Sequence, residues 1–414
     1  MPTLMVAAPR RPWLPAVLLA LVVLLVFSPL IFGGGFFWDD HLLLLDNRAV
    51  WAPGLTGLRD IWFATDHPDY FPLTITSYWI EARIWDRNAA GYHLTKILLH
   101  AASAILLWRI FLRLRFRGAL LAALLFAISP FNGESVAWIA ERKNTLSMTL
   151  ACGSVLCWLR SEDERRSDLY WASVALFAGS LLAKTATVVL PVVIVLLAWL
   201  RATRTRDHKP LWPELKRQAL RLAPFFALSL ALGLVTVWFQ YHRAIGEEVV
   251  RSDSLASRTA TAGCAIWFYL GKALLPVWIT FCYPRWNVLH HGAVAFLPGA
   301  LVIAILVSLW FLRRFTLART LLVAAACYVL LLLPMLGFLN IFFMRYSLVS
   351  DHWQYHASAV IYALLGGGAS WAIERARGLA RHIALGAVVA GALAMAAYSV
   401  SLATVYRSAT SIWT

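Results

Sequence analysis

Charge is scarce in this chain, and negative charge scarcer still: Asp and Glu total 21 against 37 Lys and Arg, and charged residues make up only 14% of 414 positions. The basic excess, formally +16, does not form a nucleic-acid face, because the Lys and Arg fall in short clusters between apolar runs, as the positive-inside rule expects. Only five cysteines occur, Cys152, Cys157, Cys264, Cys282 and Cys327. They are scattered, mostly within apolar segments, and form no CxxC pair, which excludes a cysteine metal site and a disulfide framework and leaves buried small hydrophobes. No GxGxxG or P-loop segment is present to hold a nucleotide. Repeat arrays, long low-complexity tails and address tags are also missing.

What the chain has in abundance is apolar sequence: 61% hydrophobic residues and a mean hydropathy of +0.69. Runs this long and frequent imply an all-α polytopic membrane protein, since helices satisfy their own backbone in lipid. Candidate spans cover approximately 13–33, 93–112, 118–131, 145–160, 169–183, 185–200, 220–239, 260–276, 294–312, 319–337, 357–373 and 382–404, an expectation of 11–13 transmembrane helices in one domain over 1–414. The first run follows Arg10 and Arg11 and lacks a small-residue cleavage site, so it is expected to be a retained span and not a signal peptide.

Arg10 and Arg11 put the N-terminus in the cytoplasm and the first loop, 34–91, outside. Arg113, Arg115 and Arg117 then fall inside, as do Arg201, Arg204, Arg206, Lys209, Lys216, Arg217 and Arg221, with Ala183-Lys184-Thr185 as a tight external turn. Alternation fails after that. Arg313, Arg314 and Arg319, and the cluster Arg375 to Arg381, want the inside but count to the outside. A region 240–292 that lies outside or re-enters, broken at Gly271, Pro276 and Pro284, removes the conflict.

The first outer loop opens with Gly33-Gly34-Gly35-Phe36-Phe37-Trp38-Asp39-Asp40-His41. It holds Asp39, Asp40, Asp46, Asp60, Asp66, Asp69, Glu81 and Asp86, eight of the 21 acids. The glycines are expected to end the first helix and turn the backbone. Leu58 to Phe63 and Tyr78 to Trp85 read as short amphipathic helices, the second entered near Pro72. Other outer segments carry Glu134, Arg142 and Lys143, then Lys184, then Arg345 and His352. Acid in one loop and base in the others suits a reaction in which Asp39 or Asp40 takes a proton from an attacking hydroxyl while cations hold a phosphate leaving group. Asp39, Asp40 and His41, with His67 or Glu134, are also possible ligands of a divalent ion, although their spacing matches no metal signature.

Taken in order, Trp38-Asp39-Asp40, Tyr70-Phe71-Pro72-Leu73-Thr74, Gly91-Tyr92-His93, Glu134-Ser135-Val136-Ala137-Trp138-Ile139-Ala140-Glu141-Arg142-Lys143, Ala183-Lys184, Tyr346-Ser347 and Asp351-His352-Trp353-Gln354-Tyr355 form a recognisable set. The set resembles the membrane region of the O-mannosyltransferases that carry tetratricopeptide repeats, and of their bacterial relatives. These are GT-C glycosyltransferases. The resemblance implies a GT-C fold, a polyprenyl-phosphate sugar donor, Asp39 and Asp40 as the catalytic acidic pair, and Arg142 and Lys184 near the donor phosphate. Lys143, Arg345, His352, Glu134 and Tyr70 complete the candidate substrate-binding set. No repeats follow the last span before Thr414, so the expectation is a membrane domain without a C-terminal repeat domain, its acceptor a protein, glycan or lipid. A bacterial inner membrane, with the active site facing outward, is the expected setting, with membrane lipids as neighbours and no nucleic-acid partner. The competing class is a transporter or flippase of a lipid-linked saccharide, which requires ionisable residues inside the spans.

Overall fold

The computed structural model describes residues 13–203, 211–247, 249–408 and 411, with backbone alone at 211–215. Arg10, Arg11, Arg204, Arg206 and Lys209, used above to orient the chain, lie outside the described residues. The described chain is predominantly helical, joined by turns and irregular loops, and no strand occurs among the described residues. Each of the twelve expected spans falls on a helix. Among the described residues, eight helices are long and apolar enough to cross a membrane, and Ala119–Ala127 with Pro130–Ala137 makes a ninth bent by 53°. The remaining three expected spans fall on Arg142–Glu164, Ser167–Ala183 and Leu255–Leu274, which are shorter or more polar.

The chain forms two compact units, one comprising residues up to Ala64, Phe71–Ala183 and Ile361 onward, the other Thr65–Tyr70 and Lys184–Val360. In the first unit the helices Trp13–Gly33, Ala89–Arg113, Arg142–Glu164, Ser167–Ala183 and Gly378–Val405 pack around buried Ala, Ser and aromatic side chains. Pro29 lies inside the first helix and cannot donate to the Leu25 carbonyl; the Ser28 hydroxyl does so instead, at 2.9 Å.

Two ends of this unit are distinct. At one, Arg113 pairs with Asp163 (2.8 Å) and Glu164 (2.9 Å), and Arg117 with Glu374 (3.3 Å). The basic turns after Arg113 and at Arg375 therefore share a side, as their charge demands. At the other end the first helix stops at Gly33, and Phe37 packs on Tyr406 with ring centroids 6.2 Å apart.

The glycine run ends the helix as expected but for a different reason, since none of Gly33, Gly34 and Gly35 has a positive φ. A Cβ on Gly34 would strike the His93 ring and lie 2.6 Å from the Leu30 carbonyl oxygen, so close approach is what requires glycine. The expected loop helices occur as Thr56–Phe63 and Pro72–Trp85, with Pro72 in the first turn. The second mixes its faces: Thr74 and Glu81 are buried alongside Ile75, Tyr78 and Ala82, while Ile80 and Ile84 are exposed.

In the second unit, the helices Leu190–Ala202, Leu211–Phe239, Leu255–Leu274, Leu297–Phe311 and Thr316–Leu332 precede a loop that runs to Ser350 and the helix entered at Asp351.

Candidate active site

The site is built on the turn between two helices of the first unit. Ser129 caps its own turn by accepting from Phe131 N (3.2 Å), Pro130 starts a 3₁₀ turn, and Gly133–Ala137 adds one helical turn. The chain extends at Trp138, makes a second 3₁₀ turn over Ile139–Glu141 and enters the helix Arg142–Glu164.

Side chains from three other segments lock this turn. Lys96, fully buried on the helix Ala89–Arg113, donates to the Trp138 carbonyl. Tyr78 OH donates to the Ile139 carbonyl at 2.6 Å. Ala140 N donates to Asp40 Oδ1 at 2.5 Å, and Phe37 N donates to Asp40 Oδ2 at 2.9 Å. Trp138 Nε1 returns to the Phe37 carbonyl at 3.3 Å. Asp40 thus joins the first loop to the 138–141 turn with both carboxylate oxygens. Burial pushes its carboxyl up to about 7, opposed by the Phe37 and Ala140 amides and by the Lys96 ammonium.

Asp39 differs from its neighbour. Its side chain is half-buried, and among the described residues its carboxylate makes no hydrogen bond or ion pair. The residue before the pair, Trp38, has φ +46°, an uncommon conformation for a large side chain, and its ring meets that of Trp138 edge-on at 5.7 Å. The pair therefore leaves the helix end in a fixed direction, one carboxylate tied inward and one untied.

The next residues are also engaged. Arg142 is fully buried: it pairs with Glu81, donates to the Tyr92 carbonyl at 2.9 Å and lies 4.6 Å from the Tyr78 ring centroid. Lys143 pairs with Glu141 at 2.9 Å, and Glu141 also accepts from Asn144 Nδ2 at 2.6 Å.

The family profile described as dolichyl-phosphate-mannose-protein mannosyltransferase matches residues 66–229. Protein O-mannosyl-transferase TMTC4 of Homo sapiens is 27% identical over 180 residues, covering 36% of this chain and 24% of that protein. Protein O-mannosyl-transferase TMTC1 of Mus musculus is 30% identical over 145 residues, 32% of this chain and 15% of that protein. The chain therefore matches less than a quarter of the length of these relatives. In structure it is similar to the Archaeoglobus fulgidus oligosaccharyltransferase, with a TM-score of 0.50, 16% identity, and coverage of 96% of this chain and 55% of that one. The fold is that of the GT-C glycosyltransferases.

The sequence candidates divide between the two units. Asp39, Asp40, Glu134, Arg142 and Lys143 belong to the first, which gathers Asp40 and the 138–144 turn into one network; Glu134 is buried in the turn's helix. Tyr70, Lys184, Arg345 and His352 belong to the second. There Tyr70 stacks on Phe239 at 5.1 Å, Lys184 is buried in an extended residue between two helices, and Arg345 is exposed beside Phe342 and Tyr346. His352 Nδ1 lies 2.8 Å from Ser350 Oγ. Among the described residues no group of three or more His, Cys, Asp or Glu is placed to hold a metal ion, so Asp39, Asp40 and His41, with His67 or Glu134, do not gather as a metal site.

Sequence reasoning left Lys96, Tyr78, Glu81, Glu141 and Asn144 out of the candidate site. Lys96 carried a legible signal. It sits with His93 and His100 at helical spacing inside an apolar run, all three buried, and an ionisable residue within a span marks a functional position.

Proposed function

We propose that the protein is a membrane glycosyltransferase that moves a sugar from a polyprenyl-phosphate donor to an acceptor hydroxyl, with Asp39 as general base. The observation that carries this is the division of labour in the acidic pair: Asp40 is committed to two backbone amides, whereas Asp39 makes no hydrogen bond among the described residues. A base must reach a substrate proton, and the Asp39 carboxylate has no protein donor competing for its oxygens among the described residues. Asp40 orients it, because its bond to the Phe37 amide and its own amide's bond to the Phe37 carbonyl close the short turn 37–40 in which Asp39 lies, and Ala140 anchors that turn.

In the proposed reaction the acceptor O–H gives its proton to the Asp39 carboxylate while its oxygen bonds to the anomeric carbon. The bond from that carbon to the phosphate oxygen breaks on the opposite face, which inverts the configuration. The electron pair leaves with the lipid phosphate. Lys143 is assigned to the phosphate in the first unit, and Lys184, Arg345, His352 and Tyr70 are the donor-binding candidates of the second, each to be tested by its own substitution. Arg142, held by Glu81 and the Tyr92 carbonyl, is assigned to bracing the helix Pro72–Trp85.

The O-mannosyl-transferase names of the relatives make a mannose-type hexose the first sugar to try. The proposed setting is a bacterial inner membrane with the Asp39 end facing outward, where a lipid-linked sugar presents its phosphate. The acceptor class, protein, glycan or lipid, is open to direct assay.

The test is release of polyprenyl phosphate from polyprenyl-phosphate mannose by the purified protein, with a membrane and periplasmic extract as acceptor. Asp39→Asn should lower the rate at least about 100-fold, the usual range for loss of a general base, with unchanged donor binding. Wild-type rates in Asp39→Asn would sink the mechanism.

A further inference from the structure

We propose that the helix Leu255–Leu274 does not cross the membrane but lies along the surface on the side of the 337–351 segment, seated on lipid by the apolar loop that follows it. The 337–351 segment joins two helices apolar enough to be consecutive spans, Thr316–Met335 and Asp351–Arg375, so it emerges on one side of the bilayer.

Contacts with this segment occur before, within and after the helix. The chain entering it places Arg251 Nη1 against Gly337, which has no Cβ to displace it. In its first turn Arg258 Nη1 donates to the Gly337 and Phe338 carbonyls, both at 3.3 Å. Near its end the Tyr269 hydroxyl accepts from Ser350 N at 3.1 Å. Beyond it Tyr283 OH donates to Asp351 at 2.9 Å, and Arg285 Nη1 donates to the Arg345 carbonyl at 3.2 Å. A spanning helix carries its two ends about 30 Å apart, on opposite faces of the hydrocarbon. One loop cannot meet the chain on both faces.

The middle of the helix rests on the first turn of one helix and the last turns of another. Trp267 Nε1 donates to the Pro298 carbonyl at 2.9 Å, and Gly263 lies so close to Gly299 that a Cβ would come within 2.6 Å of its backbone nitrogen. Pro298 and Gly299 form the first turn of Leu297–Phe311. Tyr328 OH donates to the Ile266 carbonyl at 2.8 Å, one turn from the end of Thr316–Leu332. The helix therefore crosses over the first turn of Leu297–Phe311, which follows a kink at Gly292, and over the last turns of Thr316–Leu332, and it is not itself among the helices long and apolar enough to cross a membrane. Taking it out of the span count also places Arg313, Arg314 and Arg319 at the far ends of those two helices, the side their charge requires.

Lipid is the occupant that the trailing loop fits. Leu274, Leu275, Val277 and Trp278 are exposed, Trp278 by 86%. The tip is held outward: Trp278 has φ +51°, and Lys272 Nζ donates to the Val277 and Trp278 carbonyls at 2.7 and 2.6 Å. A fixed apolar tip with a tryptophan, continuous in sequence with the almost wholly exposed apolar helix Val288–Phe311, suits the headgroup zone of a bilayer.

The experiment uses the full chain with its five cysteines replaced and single cysteines at Asp253, Asn287 and Arg314, labelled by a membrane-impermeant maleimide in intact cells and after permeabilisation. Asp253→Cys and Asn287→Cys should label from the same side and Arg314→Cys from the other. Labelling of positions 253 and 287 from opposite sides overturns the surface placement. Should the cysteine-free chain fail to fold, alkaline phosphatase and GFP fusions after 247 and 292 decide the same question in the native sequence: equal sidedness supports it and opposite sidedness overturns it. For the lipid seat, a nitroxide at Trp278→Cys in lipid nanodiscs should collide with both oxygen and a water-soluble nickel chelate, the pattern of headgroup depth. Collision with the chelate alone, or with neither, overturns lipid seating; the second result points to a protein partner.

Discussion

Removing Arg142 should unfold this protein more readily than it slows any reaction. The guanidinium is fully buried, pairs with Glu81, donates to the Tyr92 carbonyl and lies between the Tyr78 and Tyr92 rings. Glu81 is itself only 6% exposed. In Arg142→Met the Glu81 carboxylate stays buried without its counter-ion, which costs about 3–5 kcal/mol. The Tyr92 carbonyl loses its donor, adding about 1 kcal/mol. Against a total stability of about 5–15 kcal/mol, that loss is severe. Reversible unfolding in mixed detergent micelles measures it, and the same preparation gives the donor KM. The double variant Arg142→Met with Glu81→Leu removes both charges and should recover most of the stability, to within about 2 kcal/mol of wild type, because buried ion pairs gain little over apolar packing. If Arg142→Met lost less than about 1 kcal/mol and instead raised the donor KM tenfold or more, the guanidinium would be a phosphate ligand and its bracing role would be refuted.

Two further outcomes follow from the same network and its neighbours. The folded-state value of Asp40, about 7, lies above its ordinary 3.8, so between these values the native protein holds a proton that the unfolded chain has lost. Stability from this group is complete below about pH 4 and fades as pH rises through 7; Asp40→Asn should flatten the difference between pH 5 and pH 8 by on the order of 2–4 kcal/mol, read by unfolding at the two pH values. Gly118 has φ +70° and packs against the Gly366 carbonyl and the Ser370 hydroxyl, so Gly118→Ala should destabilise by about 2–4 kcal/mol, whereas Gly386→Ala, with open space around it in a helix, should be neutral or gain up to about 1 kcal/mol in the same assay.

By itself the sequence determined which stretches are helical and where the acid lies. Hydropathy acts locally, so every expected span falls on a helix, and Pro72 and the triple glycine marked real helix boundaries. The position of Asp39 and Asp40 at the exit of the first helix was also legible, because a carboxylate pair beside an apolar run stands out without any knowledge of packing. What each carboxylate does was decided only in three dimensions. Asp40 is tied down by an amide a hundred residues away and Asp39 is not, and adjacent identical residues offer no local signal to separate them. The same holds for Arg142, which reads as a donor-phosphate residue until Glu81 appears beside it, and for Lys96, whose buried contact is the carbonyl of Trp138. Whether a helix crosses or lies flat is likewise tertiary: Leu255–Leu274 has the 20-residue length of a span, and the loop that touches the chain on either side of it is what favours its lying flat. Hydrophobic periodicity is a property of neighbours in sequence, while buried charge is governed by partners distant in sequence, which only the folded chain brings into reach.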